Sequence, residues 1–598
     1  MVKKIIDKLE YFTILAQNKL SSKQFIFVSS VLVGILAAFA VIVLKTFAHW
    51  VFLFASYFTN NTNIFKYGYI KVLLPVIGIL LTVFVVKRVL GGSIEKGTSQ
   101  ILYAVAKKAS IIPKKQMYAQ IITSSLTVGL GGSAGLESPI TITGAAFGSN
   151  FAQKYRLSQK DRILLLACGV SAGIGAAFNA PIAGVLFAVE VILTDITISA
   201  FIPIIIAAAT GALVSTVIIS QDILLSFNNV KEFDYHNTPY YILLGILAGF
   251  VSVYHARNFR KVEGFFGKLK WGIYKKGLFG ASLLALLIFF FPTLFGEGYE
   301  SIKTLTTENA TDLLDKTLLE HSSNKQWVLL AFVGITVLLK SFATGLTLGS
   351  GGNGGNFAPS LFVGSYLGFF VSKSVNLLNF GSNLPITNFT IVGMAGILSG
   401  LFHAPLTAIF LIGEITGGYD LMVPLMIVSS ISFAVSKQFE KHSMDVKNLA
   451  DKGDVFTSDK DKNILLSIDF LKLIDANCKT ISLQNSLEHL LSDLKIRNQI
   501  LYPVLNEKHE LIGIVDFNSI RSVVFNSYSV KFTTIQEVLT QPITTLSFDE
   551  GMESIMEKFD STKADTLPVL NKKIFVGLVS KKDILEAYRE KLKQMTIE

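Results

Sequence analysis

The sequence is poor in charge and in cysteine. Of its 598 residues, 16% are charged and 51% are hydrophobic, and the mean hydropathy is +0.52. This balance excludes a soluble protein of this size and indicates a polytopic membrane protein. The two cysteines, Cys168 and Cys478, lie in an apolar run and in the polar C-terminal part, so neither a disulfide nor a metal site is expected. The chain opens with a mixed polar segment, so no cleavable signal peptide is expected.

The charges that are present are mostly positive. The formal net charge is +11 and the pI is about 9.2. In a membrane protein such an excess is typical of cytoplasmic loops and tails rather than of nucleic-acid binding. Within residues 1–23, lysines are interspersed with isoleucine, leucine and phenylalanine, which predicts an amphipathic helix on the cytoplasmic face of the membrane. We therefore expect membrane lipid as a partner, no nucleic acid, and a cytoplasmic N-terminus.

A glycine-rich break with the sequence GGSAGLESP, at residues 131–139, interrupts the apolar sequence. Glycine-rich backbone at membrane depth exposes N–H groups that need partners. Pro139 suits the first turn of a helix, because that turn does not need its N–H, so we predict a helix start at residues 137–139. A helix N-terminus carries partial positive charge and free donors, so it attracts anions. Glu137 is the one charged residue of the break.

The same pattern returns in the second half of the chain. The sequence GGNGGNFAP at residues 351–359 aligns with residues 131–139 without a gap, 220 positions later. Residues 402–414 likewise align with residues 178–190, 224 positions later. Two halves with equivalent Gly- or Pro-broken helices indicate a transporter with a site near the middle of the membrane. Helix packing by small residues is the alternative. It accounts for scattered glycines but poorly for two ungapped, colinear matches.

The chain separates into a membrane part and a polar C-terminal part. Apolar runs extend from about residue 25 to residue 436, and many are shorter than the ~20 residues of a straight span. We therefore expect tilted and half-spanning helices whose ends meet inside the protein. Beyond Lys437 the composition becomes polar, and two similar β-rich units follow, each entering a helix. The predicted segments are an N-terminal helix (1–23), a membrane domain (24–446, with repeats at about 24–220 and 239–446), and a linker with two α/β repeats (447–598, with repeats at about 464–527 and 531–590).

Both breaks resemble motifs of one membrane-protein family. Residues 340–359 resemble the Gly-x-Phe-x-Pro region of the CLC chloride channel and transporter family, and residues 135–139 resemble its Gly-[Lys/Arg]-Glu-Gly-Pro motif. The C-terminal repeat is similar to a tandem pair of cystathionine-β-synthase-type (CBS) domains. The resemblance implies an all-α polytopic membrane domain of two inverted repeats with broken helices, plus a cytosolic α/β CBS-domain pair. It also implies a non-enzymatic homodimer in the inner membrane, with one chloride pore per subunit and both termini cytoplasmic.

The resemblance assigns the gate to Glu137. A carboxylate at a helix N-terminus occupies the place that an anion favours, so it competes with chloride, and protonation removes its charge and opens the path. The alternative is that Glu137 only caps its helix at the surface; the matching break in the other half argues against it. The predicted anion-binding residues are Gly135, Leu136, Ser138, Gly355, Asn356, Phe357, Ala358 and Lys96.

Three positions depart from the family pattern. Lys96 replaces a serine that contacts the inner ion; it either holds an anion as a point charge or is a solvated loop lysine paired with Glu95. Val191 replaces a glutamate that exchangers of the family often carry. Asp445 replaces a pore tyrosine, or is a linker charge. Because Val191 cannot relay a proton, we favour a gated passive chloride channel, with a chloride/proton antiporter as the alternative.

Residues 131–135 also match Gly-x-Ser-x-Gly, the nucleophile-elbow pattern of hydrolases. This match makes an intramembrane serine hydrolase with Ser133 as nucleophile the enzyme alternative. The elbow requires a strand before it, a helix after it, and an acid and a histidine later in the chain. The companion break has Asn353 at the nucleophile position, so a hydrolase is disfavoured.

A nucleotide site is a further possibility in the CBS pair, although no cofactor is required for transport. Ser580 and Asp583 fit the Ser/Thr-x-x-Asp pattern with which CBS domains hold the ribose of an adenine nucleotide such as ATP, ADP or AMP. The other interpretation is a helix N-cap by Ser580, completed by Asp583 as in a capping box. We therefore expect at most weak binding.

Overall fold

The computed structural model of the chain forms two compact units, Met1–Val455 with Ile597–Glu598, and Phe456–Thr596. The structure describes residues 13–60, 69–92, 94, 96–193, 198–219, 225, 227, 230–307, 309–315, 317, 319–322, 324–379, 383–451, 464–465, 468–494, 499–524 and 527–595. Of the predicted N-terminal amphipathic helix, residues 1–12 lie outside the described residues, and residues 13–19 are helical.

All the secondary-structure elements described in the first unit are helices. Its helices are α1 (Ser22–Asn60), α2 (Tyr69–Arg88), α3 (Ser99–Lys107), α4 (Gln116–Gly129), α5 (Glu137–Lys154), α6 (Gln159–Phe178), α7 (Pro181–Phe187), α8 (Ile198–Ile219), α9 (Thr238–Lys268), α10 (Ile273–Phe290), α11 (Tyr299–Leu305), α12 (Lys325–Gly349), α13 (Phe357–Leu377), α14 (Ile386–Phe402), α15 (Pro405–Ile415), α16 (Met422–Phe439) and α17 (Met444–Ala450). Within the described residues, seven helical stretches are long and apolar enough to span a membrane. Three further apolar stretches, Pro181–Ile192, Ile386–Phe402 and Pro405–Ile415, are shorter. The mixture of long and broken helices confirms the predicted fold class.

Glycines bring the helices that follow the two breaks close together. Where α5 packs on α6, a Cβ added at Gly144 would lie 2.2 Å from the carbonyl oxygen of Gly169. Where α13 packs on α14, a Cβ added at Gly364 would lie 2.4 Å from the carbonyl oxygen of Gly393. Small residues allow such close approach between helices in a membrane. The packing explanation therefore holds for these glycines, whereas the glycines of the two breaks shape the site described below.

Two glutamates cap the short helices α7 and α15 reciprocally. Glu190 accepts hydrogen bonds from the backbone N–H groups of Leu406 at 3.1 Å and Thr407 at 2.7 Å, at the start of α15. Glu414, the equivalent residue in the other half, accepts two backbone N–H groups at the start of α7, at 3.1 and 2.8 Å. Each carboxylate satisfies free N–H groups of the opposite half. This reciprocal capping gives a structural reason for the match between residues 178–190 and 402–414.

The second unit contains two three-stranded sheets of the same topology. Its elements are β1 (Ile481–Ser482), α18 (Leu487–Leu494), β2 (Leu501–Leu505), β3 (Leu511–Asp516), α19 (Phe517–Val524), α20 (Ser527–Phe532), α21 (Ile535–Val538), β4 (Leu546–Ser547), α22 (Met552–Thr562), β5 (Thr566–Asn571), β6 (Ile574–Ser580) and α23 (Lys581–Met595). In each sheet a short strand pairs parallel with the middle strand, which pairs antiparallel with the third. This matching order confirms the predicted α/β pair.

The segment that enters the first α/β repeat packs on the second. Ile468 and Phe470 are buried in the hydrophobic core of the second repeat. Asp475 and Leu578 of β6 exchange two backbone hydrogen bonds, of 2.8 and 3.1 Å. The sequence assigned this segment to the first repeat, but here it completes the core of the second.

Candidate anion site and gate

The starts of α5 and α13 meet inside the membrane unit. Gly135 and Gly355 exchange two backbone hydrogen bonds: the Gly135 N–H donates to the Gly355 oxygen at 2.9 Å, and the Gly355 N–H donates to the Gly135 oxygen at 2.8 Å. The preceding turns use Gly131 at φ +90° and Gly351 at φ +118°, which is left-handed backbone that glycine adopts readily. The two breaks thus form one antiparallel contact, and a helix leaves it on each side.

Threonine side chains tie each break to the helix that precedes the other. The Oγ1 of Thr347, in α12, accepts the N–H of Ser133 at 3.1 Å. The Oγ1 of Thr127, in α4, accepts the N–H of Asn353 at 3.0 Å. The opposite half therefore satisfies these two buried backbone donors, as the lack of water inside a membrane requires.

The carboxylate of Glu137 lies on the start of the opposite helix. Glu137 is 3% exposed. Oε2 accepts the backbone N–H of Ala358, in the first turn of α13, at 3.3 Å. Oε1 accepts the hydroxyl of Tyr299 at 2.7 Å. Glu137 is therefore not a surface cap of its own helix, and its negative charge sits where α13 offers free donors.

The other predicted anion-binding residues of the breaks surround the same contact. The Leu136 N–H is taken by a second carboxylate, described below, and Ser138 is buried beside Gly355. The Phe357 ring lies in an aromatic cluster, 5.7 Å from the ring centroid of Phe402. The side-chain oxygen of Asn356, the residue before α13, lies 3.4 Å from Nε2 of the buried His255.

Lys96 is engaged by protein groups at the second break. Its ammonium donates a hydrogen bond to the Gly352 carbonyl oxygen at 2.7 Å, and it interacts electrostatically with Glu263. Glu95, its predicted partner, lies outside the described residues. Asp445 lies in α17, where its carboxylate is hydrogen-bonded to Thr98. Because Thr98 is two residues after Lys96, the two residues that depart from the family pattern, Lys96 and Asp445, belong to segments in contact.

The sequence missed three polar residues of this site: Glu297, Tyr299 and Lys340. Glu297 Oε1 accepts the Leu136 N–H at 3.1 Å. Lys340 is fully buried and donates to Ser133 Oγ at 2.9 Å. Glu297 and Tyr299 lie outside the stretches that align between the two repeats, so no motif pointed to them.

Lys340 did have a signal in the sequence. It stands 220 positions after Gln120, as Asn353 stands after Ser133. Gln120 Oε1 accepts the side-chain amide of Asn353 at 2.8 Å. The pair of Lys340 with Ser133 is thus the counterpart of a pair in the other half, and the offset predicts it.

The hydrolase interpretation of Ser133 lacks its structural context. The residues before Ser133 form helix α4, not a strand, so no nucleophile elbow is present. The Ser133 hydroxyl accepts a hydrogen bond from Lys340, whose ammonium also donates to the Gly296 oxygen at 3.2 Å. Ser133 is thereby part of the polar contacts that hold the break.

In the second unit, Ser580 and Asp583 contact one another at the start of α23. The Ser580 hydroxyl donates to Asp583 Oδ2 at 2.7 Å, and the Asp583 N–H donates to Ser580 Oγ at 3.1 Å. This is the geometry of a helix cap. A bound ribose would have to displace the Ser580 hydroxyl from the Asp583 carboxylate.

Comparison with known families identifies the membrane unit. A family model described as voltage gated chloride channel matches residues 78–437. The chain belongs to this family. Chloride is thus the ion that this family of multi-pass membrane proteins transports, and a CBS domain model matches residues 535–590 of the second unit.

Individual relatives and solved structures of the CLC type are also similar to this chain. ClcB, a voltage-gated ClC-type chloride channel of Escherichia coli, is 29% identical over 429 residues, which are 69% of this chain and 96% of that protein. A slow cyanobacterial Cl−/H+ antiporter shares the fold over 74% of this chain and 100% of its own, at 21% identity and a TM-score of 0.60. A eukaryotic CLC transporter shares it over 93% and 97%, at 17% identity and 0.61.

Proposed function

We propose that the protein is a gated passive chloride channel and that Glu137 is its gate. The observation that carries this proposal is the contact between the Glu137 carboxylate and the Ala358 N–H at the start of α13. An anion at this helix start needs the same donor, so the carboxylate and chloride exclude one another. Tyr299 holds the carboxylate in this position through its hydroxyl.

Passive transport is supported by the surroundings of Val191. This residue lies in a π-helical turn, Ala188–Ile192, and its side chain has no group that binds a proton. The neighbouring Glu190 gives its carboxylate to the backbone N–H groups of α15, where it stabilises the helix start. Neither side chain is therefore suited to pass a proton toward the gate.

Chloride/proton antiport is the second candidate function. One solved structure with the same fold is that of a Cl−/H+ antiporter. In addition, Tyr299 and Glu297 lie next to Glu137, and ionisable groups inside a membrane protein commonly mark ion or proton pathways. A proton route through these groups would not require a carboxylate at position 191.

The two candidates make opposite predictions about proton movement. In sealed liposomes that contain the purified protein, we expect a chloride gradient to drive chloride efflux without uphill proton movement, because no relay residue stands at Val191. The measurement records external chloride and pH together after a potassium ionophore clamps the voltage. Protein-free liposomes give the leak, and proton uptake in fixed proportion to chloride efflux would establish antiport instead.

For the CBS pair we propose weak adenine-nucleotide binding centred on Ser580 and Asp583. Calorimetric titration of the purified full chain with ATP or AMP should show binding that Asp583→Ala abolishes, because that carboxylate is the expected acceptor of the ribose hydroxyls. Asp560→Ala, which removes an exposed carboxylate that pairs with Lys581 at 2.8 Å, serves as the control. Absence of binding in the unmodified protein would leave these residues as a helix cap.

We also propose an inner-membrane homodimer with cytoplasmic termini and no enzymatic activity. Apolar side chains of the half-spanning helices are exposed, including Ile182 of α7 and Leu406 of α15. The helix-capping Glu190 and Glu414 lie beside them, and a second copy would shield these acids from lipid. A monomeric mass in detergent, corrected for bound detergent, would contradict the dimer, and protease access to the C-terminus from the outside would contradict the orientation.

A further inference from the structure

A carboxylate occupies each of the two helix starts that meet at the site. Glu137 accepts the Ala358 N–H at the start of α13, at 3.3 Å. Glu297 accepts the Leu136 N–H at the start of α5, at 3.1 Å. The sequence indicated a single acidic side chain for the two equivalent helix ends. The structure supplies a second one from the connection between α10 and α11.

That connection is built onto the site. The Gly296 N–H donates to the Gly131 oxygen at 3.0 Å, which joins the connection to the first break. Gly296 and Gly298 both have left-handed backbone, at φ +65° and +94°, which reverses the chain on either side of Glu297. Tyr299 follows directly and donates to the gate carboxylate. A single short segment therefore contacts both helix starts.

Charged groups on three helices interact with Glu297. Lys340 of α12 and Lys45 of α1 both interact electrostatically with it, and so does Glu137 of α5. The Lys340 ammonium is fixed by Ser133 Oγ at 2.9 Å and by the Gly296 oxygen at 3.2 Å. Glu297 itself is only half-buried. Its carboxylate therefore lies near positive groups held in place by the protein, and such groups also favour a chloride ion.

We propose that Glu297 is a second gating carboxylate, which occupies the anion position at the start of α5 and must leave it before chloride passes. This inference rests on the proposed role of Glu137, and it assigns the start of the other helix, α5, to Glu297. Lys340 is then a positioning residue, because it anchors the connection through Gly296 and offers a charge to either occupant.

The Glu297→Gln variant separates a gate from a helix cap. Glutamine keeps an oxygen that accepts the Leu136 N–H, so a purely structural cap is preserved, but the charge that competes with chloride is removed. We expect chloride to bind about two- to fivefold more tightly in calorimetric titrations of the purified variant, which corresponds to the usual strength of a charge at a helix start. Chloride efflux from liposomes should rise in parallel.

Glu414→Gln is the matched control, because Glu414 also accepts backbone N–H groups at a helix start but caps α7. Its chloride affinity should equal that of the unmodified protein. Glu297→Gln with unchanged affinity and efflux, alongside a responsive Glu137→Gln variant, would overturn the inference and leave the proposed function intact. If Glu137→Gln were also without effect, the proposed gate itself would fail.

A second measurement does not depend on any change at Glu297. In the Glu137→Gln variant, Glu297 is the remaining carboxylate at the two helix starts, facing Lys340, Lys45 and Tyr299. Acidification protonates a carboxylate and removes its competing charge, so efflux from this variant should still increase as pH falls. A flat pH profile for Glu137→Gln would contradict a second gate, and the double variant with Glu297→Gln should be flat if the inference holds.

Discussion

Chloride efflux from liposomes that contain the Glu137→Gln variant is expected to be severalfold faster than wild-type efflux at neutral pH. Glutamine keeps the size of the side chain but removes its charge, and a charge at a helix start contributes about 0.3–1 kcal/mol, or more when it is partly buried. Since about 1.4 kcal/mol changes an equilibrium constant tenfold, the closed state of the gate loses a corresponding share of its population. The part of the pH response that comes from Glu137 should disappear with its titrating group, which leaves the part assigned above to Glu297.

The direction of the wild-type pH response follows from the same contact. Lower pH protonates Glu137, weakens its attraction to the start of α13 and raises efflux; higher pH reverses this. Glu300→Gln is the control, because Glu300 lies close by in α11 but is exposed to solvent. Wild-type rate and pH profile in the Glu137→Gln variant would exclude Glu137 as the gate.

The Gly355→Ala variant is expected to lose both stability and efflux. An added Cβ would lie 2.2 Å from Ser138 Oγ and 2.6 Å from Ser138 Cβ, so the two breaks would have to separate. Separation stretches the paired hydrogen bonds between Gly135 and Gly355, and overpacking of a dense interior typically costs about 1–3 kcal/mol. The thermal midpoint in detergent should fall, and efflux should fall because the two helix starts no longer meet.

Partial rescue distinguishes this mechanism from a general defect. Ser138→Gly removes both atoms that the new methyl group would strike, so the double variant should recover part of the lost thermal stability. Gly264→Ala is the control, because a Cβ at Gly264 in α9 meets no atom within 4 Å. If Ser138→Gly added no stability to Gly355→Ala, the clash between the two breaks would not be the cause of the defect.

Local patterns predicted much of the site because helix starts are encoded locally. Glycine and proline spacing predicted a helix start within residues 137–139, and the structure has the starts of α5 and α13 at Glu137 and at the aligned Phe357. Repetition then indicated that the two starts are equivalent. The same reasoning could not find Glu297 or Tyr299, because no sequence match marks the connection to which they belong, and their partners Leu136 and Glu137 lie more than a hundred residues earlier in the chain.

Composition, repetition and helix-start chemistry by themselves determined that this chain is a membrane protein with two equivalent anion-attracting helix ends and a C-terminal α/β pair. Only the tertiary structure decided which carboxylate lies on which end: Glu137 reaches α13 of the opposite half, and Glu297 reaches α5. The physical reason is how far apart along the chain the interacting residues lie. Backbone propensities act over a few neighbouring residues, whereas a hydrogen bond of about 3 Å forms only after distant segments have packed into fixed positions.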